Sequence, residues 1–318
     1  VSGYPQALDP ARLAREAPAR PALVHEDGAT RSYGELIERA NRTAHRLRRD
    51  GLSVGDGIAL LTGNRLEYFD VVWAAQRSGL YYTPISTLLQ TGEIHYLLDN
   101  SRARALFVDA ALLQRLDRAR LGDLRIYCLD PGTGGDGIVD WSNAIATEAV
   151  DDVADACEGS EMLYSSGTTG RPKGIRLPVG APLGQVTELF RRRLDLYDMD
   201  EDTRYLSTAP LYHSAPLKFN MMVMRLGGTS VVMSRFDAAR ALALIERHRI
   251  SHAQWVPTMF RRLLDLPDSE RRRHDLSSMR FAIHAAAPAR SRSSAPCSSG
   301  GGRSCTSTTR VPRATVRR

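Results

Sequence analysis

Tyr164-Ser165-Ser166-Gly167-Thr168-Thr169-Gly170-Arg171-Pro172-Lys173-Gly174 packs four Ser/Thr hydroxyls, three glycines and a lysine into eleven residues. It follows Met162-Leu163-Tyr164, which reads as a buried strand. Glycines let consecutive backbone N–H groups converge on one concave point, hydroxyls add donors, and a lysine adds charge. Together these are the means of holding a polyphosphate. The spacing is not G-x-x-x-x-G-K-[ST], so this is not a Walker A loop. A polar turn rarely gathers so many donors.

Outward from this loop, residues 1–288 alternate between strand-like and helix-like runs, the pattern of an α/β fold with largely parallel sheets. Ser32-Tyr33-Gly34-Glu35 is a capping box opening a helix that carries Leu36, Ala40, Ala44 and Leu47 and ends at Gly51. Ile58 to Leu61, Tyr81 to Ile85, Ala105 to Val108 and Leu124 to Leu129 read as strands. Helices are expected from Glu67 to Ser78, after a Thr91 cap, and near Trp141. A subdomain boundary is expected near 150–160. Beyond it come a helix from about Leu183, strand Tyr205 to Thr208, an apolar helix through Phe219 and Met224, and strand Ser230 to Met233. An Asp237-capped helix, strand Ala253 to Val256, helix Thr258 to Leu264 and strand Met279 to His284 follow.

Several other function classes find no support. The 318 residues are 42% hydrophobic and 25% charged, and no stretch of about 18 apolar residues escapes interruption by charge, so no membrane span is expected. No basic segment followed by an apolar core opens the sequence, and the four cysteines form no C-x-x-C pair. A reduced, cytoplasmic protein is the expectation. The formal net charge of +7 comes from residues 289–318, which hold seven arginines and no acid and leave the first 288 residues neutral. Gly132-Thr133-Gly134-Gly135-Asp136-Gly137 satisfies G-x-G-x-x-G, but Ile138-Val139-Asp140 separate it from any helix, so it reads as a loop. His248 and His252 straddle a helix end and a strand, a poor zinc pair. No metal ligand is assigned.

The loop resembles the phosphate-binding signature of the adenylate-forming (AMP-binding) superfamily of acyl-CoA synthetases, luciferases and peptide-synthetase adenylation domains. The likeness extends through Ser32 to Leu36, Asn41, Gly55-Asp56, Asn64 with Glu67, Gly79 and Pro84. It continues with Pro210-Leu211-Tyr212-His213, Val256-Pro257-Thr258 and Ala285-Ala286-Ala287-Pro288. The resemblance spans 1–288, somewhat more than half of a family member. It implies an incomplete large N-terminal domain, with parallel sheets flanked by helices and the small C-terminal domain absent. It further implies ATP-dependent activation of a carboxylic acid to an acyl-adenylate and then an acyl-CoA, with ATP, Mg²⁺ and coenzyme A as cofactors.

By that resemblance Ser165, Ser166, Gly167, Thr168, Thr169, Gly170 and Lys173 would serve the phosphates. Ala286, Ala287 and Pro288 would line the adenine site, and His213 would lie by the acyl and phosphate groups. Lys173 and His213 are the expected catalytic residues. Apolar side chains at Phe219, Met222, Met224, Trp255 and Met259 suit a fatty or other hydrophobic acid, or simply a core.

Residues 289–318 contain seven Ser and seven Arg but no Leu, Ile, Phe, Met or aromatic residue, and are expected to be a disordered basic tail. A one-base shift of plausible codons for Pro296 to Ala314 yields Met-Leu-Glu-Trp-Trp-Gly and then His-Glu-Tyr-Tyr, two residues and Thr-Glu-Gly. The second of these resembles the family's adenine- and magnesium-binding motif. The tail is therefore read as out-of-frame text and the chain as an inactive remnant. The alternative is a nucleotide- or nucleic-acid-binding protein that uses the tail's charge.

Overall fold

The computed structural model describes residues 7–165, 171–284 and, for the backbone, 307–310. In chain order the elements are α1 (Ala11–Glu16), β1 (Pro21–His25), β2 (Thr30–Ser32), α2 (Tyr33–Arg49), β3 (Gly57–Leu61), α3 (Leu66–Arg77), β4 (Tyr81–Pro84) and α4 (Thr91–Ser101). Then come β5 (Ala103–Val108), α5 (Ala110–Leu113), β6 (Arg125–Cys128), β7 (Ile138–Asp140), α6 (Trp141–Ile145), β8 (Ser160–Glu161), β9 (Leu163–Ser165), β10 (Lys173–Ile175) and α7 (Glu188–Leu196). The chain continues with β11 (Arg204–Ser207), α8 (Ser214–Leu226), β12 (Thr229–Val232), α9 (Ala238–His248), β13 (His252–Trp255), α10 (Pro257–Leu264), α11 (Asp268–Arg272), β14 (Phe281–His284) and β15 (Ser307–Arg310).

Two sheets divide these strands. The first, in the order β7-β6-β5-β3-β4-β8, is parallel throughout. Its central strand Gly57–Leu61 is buried at every position, as a strand covered on both faces must be. The second runs β15-β14-β13-β11-β12-β1-β2, with a parallel centre and an antiparallel strand at each edge. An antiparallel hairpin, β9–β10, stands apart from both.

The α2 capping box forms as expected: the Glu35 N–H donates to Ser32 Oγ at 3.2 Å and the Ser32 N–H to Glu35 Oε2 at 2.8 Å. Its apolar stripe, with Leu36, Ala40 and Leu47 buried, packs in the cluster shared with α3 and the first sheet. Asp237 caps α9 as expected, by accepting from the Arg240 N–H.

Four expectations need correction. Gln90, not Thr91, caps α4, because Gln90 and Glu93 form the reciprocal pair and Thr91 turns its hydroxyl to Arg115 O. The helix after the loop begins at Glu188 behind the Thr187 cap, not near Leu183. The stretch 150–160 is no clean boundary, since β8 still pairs with β4 while β1 and β2, from before residue 33, complete the second sheet. Within the tail, Ser307–Arg310 form a strand on the edge of β14. Strand addition uses backbone N–H and C=O groups, so a lack of apolar side chains does not prevent it.

Buried charges lock the two halves together. Glu158, just before β8, accepts from Arg225 of α8 at 2.6 and 3.0 Å, from Gln76 of α3 at 2.5 Å and from the Gly184 N–H at 2.7 Å. The Arg225 guanidinium also lies over the Trp73 ring, 5.3 Å from its centroid. Tyr33, fully buried, donates to Gly228 O at 2.7 Å, tying α2 to the turn after α8.

Candidate functional site

In α/β sheets ligands gather outside the carboxyl ends of the parallel strands. At the second sheet this edge carries Ser207, Val232, Trp255 and His284 as the last residues of β11, β12, β13 and β14. The chain leaving β11 turns through Ala209 to Leu211 and enters α8 with His213 as N-cap. Among the described residues no hydrogen bond reaches the His213 ring; the Tyr212 ring lies 4.6 Å away, centroid to centroid. Partial enclosure by protein lowers its tendency to protonate below that of an ordinary histidine. A neutral imidazole at the start of a helix, where backbone N–H groups point outward, can meet an anion as a neutral donor.

The two limbs that flank the expected phosphate-binding segment, β9 and β10, pair antiparallel, with Ser165 opposite Lys173 in register. Ser166, Gly167, Thr168, Thr169 and Gly170 lie outside the described residues, as do Ala286, Ala287 and Pro288. Lys173 opens β10 with an exposed side chain. Both limbs of the hairpin are pinned to α4. Tyr164 donates to Asn100 Oδ1 at 2.7 Å, and burial pushes its phenol up to about 12. On the other limb the Tyr96 hydroxyl donates to Pro172 O at 3.0 Å, and Arg171 lies over the Tyr96 ring at 5.1 Å. Gly174 lies in a close approach: a Cβ there would meet Met162 Cε at 2.3 Å and the Tyr164 ring at 3.0 Å, so those side chains would have to shift.

Lys218, in the second turn of α8, pairs with Glu161 of β8 at 2.9 Å, just before the chain enters β9. The start of α8 is thereby tied to the strand that leads into the hairpin. Sequence reading missed the Lys218–Glu161 pair, because a surface-type lysine 57 positions from its partner leaves no local signal.

The apolar residues expected to line an acyl site do not converge. Phe219 and Met222 pack with Tyr197 and Tyr205, Met224 packs with the α2 and α3 cluster, and Trp255 and Met259 pack beneath α9 and α10. All are buried to 8% exposure or less, each where its helix or strand periodicity turns it toward a core. The glycines at 132–137 lie in the loop ahead of β7, and His252 is buried with hydrogen bonds to Tyr197 O and Ser251 Oγ. Among the described residues no group of three or more His, Cys, Asp or Glu is placed to hold a metal ion, and no helix is long and apolar enough to cross a membrane.

Comparison with known proteins accords with this arrangement. The AMP-binding enzyme family matches residues 11–302, past the change of composition at Ala289. A dioxo-octahydroindenyl-propanoyl:CoA ligase of Mycobacterium tuberculosis is 32% identical, over 89% of this chain and 56% of its own. Feruloyl-CoA synthase of an Amycolatopsis species is 31% identical, over 88% and 54%. The chain thus spans about half the length of the curated relatives it matches. Among solved structures, the N-terminal domain of FACL13 from M. tuberculosis superposes with a TM-score of 0.71 at 21% identity, covering 88% of this chain and 76% of that one. ATP-bound MatB from Rhodopseudomonas palustris gives 0.69 at 25% identity, covering 89% and 56%. By sequence match and by fold, the chain belongs to the AMP-binding enzyme family, and its described residues form part of the N-terminal domain of an adenylate-forming enzyme.

Proposed function

We propose that this chain derives from an ATP-dependent acid–thiol ligase and carries its phosphate loop and acid-side histidine. A carboxylate oxygen attacks the α-phosphorus of ATP, the bond to the β-phosphate oxygen breaks, and pyrophosphate leaves. The sulfur of coenzyme A then attacks the acyl carbonyl, and AMP departs. The observation that supports this reading is the Lys218–Glu161 ion pair, which ties α8, capped by His213, to the strand that leads into the β9–β10 hairpin.

The loop N–H groups, the hydroxyls of Ser165, Ser166, Thr168 and Thr169, and Lys173 would neutralise charge on the leaving pyrophosphate; His213 would orient the carboxylate. Mg²⁺ would accompany the ATP phosphates, and no step here depends on a ligand from the described residues. Relatives are named for long-chain fatty, feruloyl and coumarate substrates. The acid of this chain is proposed only as a hydrophobic one.

The tail is proposed to be out of frame, so that the 318-residue chain is inactive as written. Carboxylate-dependent ATP–pyrophosphate exchange tests both points, with fatty and hydroxycinnamic acids offered to this chain and to a version corrected by one base near codon 289. Exchange by the corrected chain alone supports the reading. Exchange by the chain as written overturns the tail proposal, and exchange by neither with any acid overturns the ligase assignment.

A further inference from the structure

Past Ser207 the chain leaves the β11 ladder but stays buried: Thr208 is 1% exposed, Ala209 8% and Leu211 1%. Buried backbone N–H and C=O groups need partners, and among the described residues no neighbouring strand bonds to those of Ala209 or Leu211. The partners come from the first sheet's unit. Asn64, between β3 and α3, donates through Nδ2 to Ala209 O at 3.1 Å and to Met233 O at 2.8 Å, and its Oδ1 accepts from the Leu211 N–H at 2.9 Å. Tyr68 of α3 donates to Leu211 O at 3.1 Å. Both polar groups of Leu211 are therefore held from across the interface. The orientation of the Asn64 amide follows from the network, since a flip would set N–H against N–H and oxygen against two carbonyls.

Asn64 itself stands on a braced platform. The Thr62 hydroxyl donates to Asp109 at 2.6 Å and the Gly63 N–H to the same carboxylate at 2.9 Å. Arg65 donates to Asp109 at 3.0 Å, Asp130 at 2.8 Å and Leu129 O at 3.2 Å. The loop that carries the amide is thus tied to the carboxyl ends of β5 and β6. A residue on so fixed a base can set the position of what it holds.

We propose that Asn64 is a positioning residue for the candidate site: acting across the sheet interface, and seconded by Tyr68, it fixes Ala209–Leu211 and so the place of His213 at the mouth of α8. The consequence for catalysis rests on the ligase reading; the positioning itself does not. Asparagine suits the task because it presents two donors and an acceptor on a short stem. Aspartate would keep the acceptor for Leu211 but face two carbonyls with an oxygen, and alanine would orphan three buried backbone groups at once.

The test uses the full 318-residue chain, with backbone amide exchange and ring-proton titration of the histidines followed by NMR, His213 being identified with His213→Gln. In Asn64→Ala the Leu211 amide is expected to exchange roughly tenfold faster or more. The His213 titration midpoint should move up toward the ordinary histidine value as the loop loosens and the protein atoms packed beside the ring draw away. Asn64→Asp should shift it in the same direction, and Tyr68→Phe, which removes one oxygen and little volume, by less. Leu113→Ala, in a separate core cluster, provides matched destabilisation and should leave the midpoint alone. An unmoved His213 midpoint in all three site variants, with only the melting temperature falling, overturns the proposal. If Asn64→Ala does not fold, Asn64→Asp and Tyr68→Phe decide by the same criterion. No nucleotide or acid enters these measurements, so failure of the ligase reading in the exchange assay leaves them fully interpretable.

Discussion

The carboxyl edges of the two sheets are built from the same kind of loops, yet they treat charge differently. At the first, Arg65 lies among Glu67, Asp109 and Asp130 at 2.8 to 3.0 Å, and those carboxylates in turn hold Thr62, Gly63 and Ala110. At the second, His213 stands at the mouth of α8 with no hydrogen bond to its ring among the described residues, and the segment before it is held by Asn64 and Tyr68 of the first unit. The difference teaches a division of labour. One edge satisfies its own polar groups and serves as a base; the other leaves a reactive side chain uncommitted and borrows its rigidity.

If that division is right, charged residues of the base should matter to stability and His213 should not. The largest loss is expected for Arg225→Ala, which strands Glu158 in the interface between the halves: about 3–5 kcal/mol, read from urea midpoints. Replacing both partners with apolar residues should restore much of it.

A pH effect comes next. Asp70, fully buried between Arg31 at 3.2 Å and Arg39 at 2.8 Å, has its carboxyl raised to about 6 by desolvation, which outweighs both guanidinium groups. The folded chain thus binds this proton more tightly than the unfolded one. Its stabilising contribution is full below about pH 4 and is lost as pH rises through about 6, up to about 3 kcal/mol in all. Asp70→Asn should flatten that slope in urea titrations run at several pH values across the interval. Arg65→Ala should cost about 2–3 kcal/mol by leaving three carboxylates facing one another, and an equal loss for His213→Ala would dissolve the contrast.

Ser32→Ala, which breaks the α2 capping box, should lower stability by about 1 kcal/mol in thermal melts. For His213→Gln the expected change is smallest, within about 0.5 kcal/mol, while exchange by the frame-corrected chain should fall at least tenfold. A stable variant with undiminished exchange would remove His213 from the site.

The family was legible because the signature it rests on is local: glycines, hydroxyls and a lysine fall within eleven consecutive positions. The helices α2 and α9 were legible for the same reason, their caps and apolar stripes lying within one or four turns. What escaped was whatever depends on distant partners. The short strand Pro21–His25 carries no clear alternation and takes its identity from β12, with Leu23 opposite Ser230. Asn64 could be matched to a family pattern, but three hydrogen bonds to residues 145 to 169 positions away cannot be read from one amide. The apolar side chains at Phe219, Met224 and Trp255 were visible, though not the fact that they enter three different cores, because helix and strand direction decide that.

The pairing of β1 with β12 also has a bearing on synthesis. Leu23 must wait for Ser230, roughly 200 residues later, before its strand gains a second neighbour beside β2. At about 5–20 residues per second that is on the order of 10–40 s, during which an apolar strand emerges from the ribosome with one edge unpaired. The first sheet, whose strands all lie within residues 57–161, can close in that interval. Nascent chains arrested before residue 229 should therefore present the β1 segment to chaperones and proteases, and those arrested well beyond residue 232 should hide it.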